Sequence, residues 1–121
     1  STFGGNPLAS VVALAVVDII EGQQLAQRAA DLGQSMLDSL AFQLKSHSAV
    51  KDIRGCGLMI GIELDRNCTV LVTDALAKGL LINVTNSNTI RLLPPLIMND
   101  AEADLIVDTV SDLIIQFIKN A

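Results

Sequence analysis

Residues 58–64 read Leu-Met-Ile-Gly-Ile-Glu-Leu, and their alternation decides the fold. Leu58, Ile60, Ile62 and Leu64 fall on one side of an extended chain, with Met59, Gly61 and Glu63 on the other. This is the two-residue period of a strand with one covered face. Just upstream, Gly55-Cys56-Gly57 reads as a tight turn entering that strand, and Ile53-Arg54 as a short strand before the turn. These glycines do not make a dinucleotide loop, because the spacing departs from GxGxxG and a strand follows where that fingerprint requires a helix.

Downstream, residues 69–78 predict a helix closed by Gly79, where a left-handed residue is wanted. Residues 80–85 and 89–93 predict two strands joined through the turn-forming Asn86-Ser87-Asn88, and Pro94-Pro95 stops the second. A last helix starts at Asn99 with Glu102 three residues on, a capping box, and carries the stripe Ile106, Val110, Leu113, Ile114 and Phe117.

On the N-terminal side, Asn6-Pro7 supplies a cap and a first helical position, so a helix is expected from Pro7 to about Glu21, ending at Gly22. Its apolar residues surround the axis, which demands partners on most sides. A second helix over residues 23–46 has one stripe, Leu25, Ala29, Leu32, Met36, Leu40 and Leu44, and a polar opposite face. The order helix, helix, two strands, helix, two strands, helix predicts an α+β layer. Its sheet is small and mostly antiparallel, with helices on one face and no natural cover for the other.

Composition narrows the function classes. At 121 residues, half of them apolar and 17% charged, the chain fits one well-buried domain and is not disordered. A net charge of −5 without a basic stripe offers nothing to nucleic acid and no polybasic segment to a membrane surface. The apolar run from Val11 to Val17, with Ile19 and Ile20 after it, is shorter than the ~20 residues a bilayer core requires. Cys56 and Cys68 lack the CxxC or paired-histidine company of a metal site or disulfide framework, so a reduced cytoplasmic setting is expected. The single histidine, His47, has no Asp or Ser constellation around it. The start at Ser1 without Met gives the expectation of a piece of a longer product.

Two features carry chemistry. Ser1-Thr2-Phe3-Gly4-Gly5-Asn6-Pro7 sets two hydroxyls and two glycines before a helix N-terminus, either to present donors to a phosphate or simply as a terminus followed by a helix cap. Arg91 lies between Ile90 and Leu92 and so points away from the face they share. It reads either as a carboxylate clamp or as an edge-strand arginine in solvent.

The stretches STFGGNPLA (1–9), IRGCGLMIGIE (53–63) and GLLINVTNSNTIRLLPPL (79–96), in that order, resemble the class III aminotransferases that use pyridoxal phosphate, and the resemblance covers essentially the whole chain. It implies the C-terminal domain of a fold type I enzyme, with residues 1–22 as a motif loop and linking helix from the large cofactor domain and 23–121 as the small domain. It further implies a homodimer acting on small amino-acid and 2-oxo-acid substrates. Thr2 would contact the cofactor phosphate of the neighbouring subunit, Arg91 would bind the α-carboxylate of the substrate, and Ser1 would line the substrate site, as its counterpart does in members acting on N-acetylornithine. The reaction implied is transfer of the δ-amino group of N-acetylornithine to 2-oxoglutarate in arginine biosynthesis. Ornithine, succinylornithine and 4-aminobutyrate are the alternative donors. Lys45, Lys51, Lys78 and Lys119 all sit at polar helix or turn positions, and in the family the Schiff-base lysine lies upstream of the STFGG motif. No catalytic residue is therefore expected in this chain, nor activity of the chain alone. A different class, a stand-alone amino-acid-binding α+β module, is the competing reading.

Overall fold

A computed structural model describes residues 2–120. Ser1 lies outside the described residues. Four helices and four strands follow the order α1 (Pro7–Gly22), α2 (Leu25–Leu44), β1 (Val50–Cys56), β2 (Met59–Leu64), α3 (Leu71–Ala77), β3 (Asn83–Thr85), β4 (Thr89–Leu92) and α4 (Asp100–Lys119). The strands form one sheet in the order β1-β2-β4-β3, every pair antiparallel. α3 carries the chain from β2 to the far edge, and β4 returns between the two.

The covered face is what the alternation of residues 58–64 requires. Ile60 and Ile62 are fully buried, Leu58 and Leu64 nearly so, and Ile90 and Leu92 join them from β4. α2 packs on β1 and β2, α3 on β3, and α4 on α2 and α3. The α2 stripe is buried at all six positions expected of it. In α4 the buried stripe also includes Ala103 and Val107, while Ile106 and Phe117 are only half-buried. The Asn99 side chain accepts from the Glu102 amide at 2.9 Å and the Glu102 carboxylate accepts from the Asn99 amide at 2.9 Å, so two otherwise orphaned donors at the start of α4 are satisfied.

Local differences from the sequence expectations have simple causes. β1 is seven residues long, well beyond Ile53-Arg54, because it is an edge strand with a register shift between Val50 and Asp52, and only Val50 and Ile53 reach towards the core. Periodicity cannot register so irregular a pattern. Leu80, Leu81 and Ile82 are not in the sheet: β4 is short, and β3 pairs with it only over Asn83–Thr85. α2 begins at Leu25 and ends at Leu44, inside the expected range. α1 stops at Gly22, yet the left-handed residue of the connection is Gln24, at φ 51°. Among the described residues α1 itself has no buried residue, and α2 is the only helix or strand it packs against.

Between β1 and β2, Gly57 and Leu58 form a two-residue hairpin loop closed by the Cys56–Met59 pair. Gly57 has φ 55°, which fits a turn whose first central residue must be left-handed. The loop lies directly on α2, where a Cβ added to Gly33 would come within 2.0 Å of the Gly57 carbonyl oxygen.

Candidate functional site

The uncovered face of the sheet carries the polar residues that alternate with the core. Register places them in rows across the strands. Arg54, Gly61, Arg91 and Asn83 make one row, and Asp52, Glu63, Thr89 and Thr85 the next. Residues directly opposite in an antiparallel pair point to the same face, so each row is a strip of neighbouring side chains. A groove of about 380 Å³ runs over part of both rows, lined by Arg54, Cys56, Met59, Gly61, Thr85, Thr89 and Arg91 among others.

The two guanidinium groups in this groove differ. Arg54 Nη1 donates to Asp52 Oδ2 at 2.7 Å and to Glu63 Oε2 at 2.8 Å. These two hydrogen bonds, Asp52 first and then Glu63, hold Arg54 even more firmly in its charged form than usual. All three side chains are substantially exposed, so the network contributes little stability, but it fixes where the Arg54 head sits. The ion pairs among the described residues engage Arg28, Arg54 and Arg66, and Arg91 has none. Arg91 therefore offers its planar fork of donors to the groove, with the geometry that carboxylates accept in two-pronged fashion. Burial of Ile90 and Leu92 on either side turns it outward, as the sequence requires.

Thr2 lies elsewhere. Residues 2–5 form an exposed turn, and Asn6 ties the turn to the helix by donating to the Phe3 carbonyl at 2.8 Å and accepting from the Ala9 amide at 3.0 Å. No acidic residue stands in the first turn of α1, so nothing opposes an anion at its positive end. A hydroxyl beside such an end fits a phosphate. Thr2 does not line the groove that holds Arg91, and the structure does not bring the two together.

The lysines also stand apart from that groove. Lys45 lies over the Phe42 ring at 4.0 Å and the Lys51 ammonium donates to the Ser48 carbonyl at 2.9 Å. Cys68 is buried and its thiol pKa is pushed up by desolvation, whereas Cys56 is exposed at the groove rim. Among the described residues no group of three or more His, Cys, Asp or Glu side chains could hold a metal, and no single helix is long and apolar enough to cross a membrane. Sequence reasoning named Arg91 but missed Arg54, Asp52, Glu63 and Thr89. The signal for Glu63 was present in the alternation of 58–64, but the partner rows depend on strand order, which a single strand does not reveal.

Comparison with known proteins adds an independent line. The model of the aminotransferase class-III family matches residues 1–114. Acetylornithine aminotransferase 1 of Bordetella pertussis is 49% identical over 118 residues, covering 98% of this chain and 30% of that protein. Ornithine aminotransferase 1 of Staphylococcus aureus is 42% identical over 113 residues, covering 93% of this chain and 28% of that protein. Among solved structures, the ornithine aminotransferase of Toxoplasma gondii superposes with a TM-score of 0.92 at 30% identity over 100% of this chain and 30% of its own. The acetylornithine aminotransferase of Elizabethkingia anophelis gives 0.85 at 32% identity, over 96% of this chain and 30% of its own. The chain thus spans about 30% of the length of these relatives.

Proposed function

Since the chain belongs to the class III aminotransferases, we propose that in the intact protein it completes a pyridoxal-phosphate enzyme transferring the δ-amino group of N-acetylornithine to 2-oxoglutarate. The preference for this donor over ornithine rests on the higher identity to relatives named for acetylornithine, 49% against 42%. Such a reaction belongs to arginine biosynthesis in the cytoplasm. The observation that carries the reading is the guanidinium of Arg91, which has no ion pair among the described residues and lines a groove on the uncovered sheet face.

Pyridoxal phosphate, when bound, supplies the electron sink for exchanging an amine between carbon skeletons. The residues of this chain bind and orient. Arg91 grips the carboxylate of the amino or oxo acid with two parallel N–H donors, which fixes both distance and plane. Thr2 donates its hydroxyl to the cofactor phosphate at the positive end of α1, and Ser1 lines the substrate site. Thr2 and Arg91 do not share a groove, and Thr2 serves the site of the neighbouring subunit in a homodimer. The lysine that moves the proton lies upstream of Ser1 in this reading, and the 121-residue chain alone is inactive.

Arg91→Lys keeps the charge and loses the fork. In the intact enzyme the apparent affinity for 2-oxoglutarate is expected to drop by roughly tenfold or more. Unchanged kinetic constants in both half-reactions would remove the clamp. Thr2→Ala deletes one hydrogen bond to a charged group, worth about 1.5 to 3 kcal/mol, so retention of the cofactor should weaken by about 10- to 150-fold in equilibrium dialysis. Equal retention by variant and parent would take Thr2 out of the site.

A further inference from the structure

Gly61 stands in the middle of β2, where a glycine weakens a strand relative to a residue with a side chain. Its φ is not left-handed, and a Cβ built on it would meet Thr89 Cγ2 at 3.6 Å and Arg54 Cγ at 3.9 Å, both ordinary contacts. The fold of this chain therefore does not require glycine here. Gly33 and Gly55 differ, because a Cβ on either would run into backbone at 2.0 and 2.9 Å. A strand glycine that its own surroundings do not demand marks a place where something else approaches the backbone closely.

Register says what that something can be. Gly61 lies directly between Arg54 and Arg91 in one row, on the floor of the groove. Arg54 has its Nη1 committed to two carboxylates of the chain, so its head is held as a wall, whereas Arg91 has no ion pair among the described residues and keeps its whole fork for a ligand. We propose that Gly61 is the specificity-determining floor of the carboxylate groove, its missing side chain admitting the carboxylate end of an amino or oxo acid against the β2 backbone beside Arg91. This rests on the reading of Arg91 as carboxylate clamp.

The test uses the full-length, cofactor-loaded protein carrying Gly61→Ala or Gly61→Val, with 2-oxoglutarate as probe. Four quantities are measured: KM, kcat, the dissociation constant by calorimetry, and the thermal midpoint without substrate. Because the chain tolerates a Cβ and valine favours strands, the midpoint should hold or rise slightly. The KM and dissociation constant should rise by a few-fold with alanine and about tenfold or more with valine, at a retained kcat, the signature of lost uniform binding. Arg91→Lys run alongside separates the two ideas. If Arg91→Lys weakens binding while Gly61→Val leaves it within twofold, the floor is overturned and the clamp stands. If neither changes binding, the clamp fails and the floor with it. A midpoint that falls in both Gly61 variants in step with affinity would show that another protein segment occupies the space, which also overturns the proposal.

Discussion

Gly33→Ala is expected to destabilise the domain by about 2 kcal/mol or more, although alanine is the better helix former. Helix propensity alone favours the substitution by ~1 kcal/mol. Against it stands the hairpin loop: the new Cβ would lie 2.0 Å from the Gly57 carbonyl oxygen and 2.5 Å from its carbon. Both partners are backbone, one in a helix and one in a tight hairpin loop tied at both ends to the sheet, so neither can rotate away, and overpacking of this kind costs about 1 to 3 kcal/mol or more after relaxation. The cost outweighs the gain. Gly22→Ala is the matched control, since Gly22 is also helical and has nothing within 4 Å of an added Cβ. Urea unfolding of the two variants should place Gly33→Ala well below the parent and Gly22→Ala at or above it. Equal stability of Gly33→Ala and the parent would mean the loop does not sit on α2 as described.

The 121-residue chain on its own is expected to self-associate through α1. Leu8, Val11, Val12, Leu14, Val16, Val17 and Ile19 are all exposed, from 48% for Val16 and Ile19 to 75% for Leu8, and α1 leans only on α2. At about 25 cal/mol per Å², even a few hundred Å² of such surface drives association by several kcal/mol. Sedimentation across a wide concentration range should show oligomers, and replacing Val12 and Val16 with Asp should shift the distribution towards monomer. A parent chain that stays monomeric throughout would contradict the expectation.

How much could be read without coordinates depended on whether the signal was local. The caps at Asn6 and Asn99, the left-handed Gly79 and the α2 stripe rest on local signals, and each is where the sequence places it, whereas the turn expected over residues 55–57 falls on Gly57 and Leu58, with Gly55 and Cys56 still in β1. Arg91 was legible because Ile90 and Leu92 orient it. The Arg54 network was not, since Glu63 joins Asp52 and Arg54 only through the β1–β2 pairing. Nor was the role of Gly33, which looks from the sequence like a mild defect in a helix and is in fact the seat of a hairpin 24 positions later at Gly57. The left-handed Gln24 was hidden by Gly22, which invites the reader to end the helix with glycine geometry that the chain does not adopt.

The alternation along β2, continued by Ile90, Arg91 and Leu92 of β4, also sets how this protein can tolerate change. Odd positions such as Met59, Gly61 and Arg91 line the groove, and even ones such as Ile62, Ile90 and Leu92 belong to the core. Point substitutions on the groove side can therefore be explored by selection or by design with little penalty in folding, so ligand preference is free to drift while the scaffold stays fixed. Insertion or deletion of one residue within either strand has the opposite character. It would exchange the two sets, carrying an arginine into an aliphatic interior and isoleucines onto the binding surface. Variation in this region is accordingly expected to come as replacements inside the strands, with length changes confined to the connecting loops.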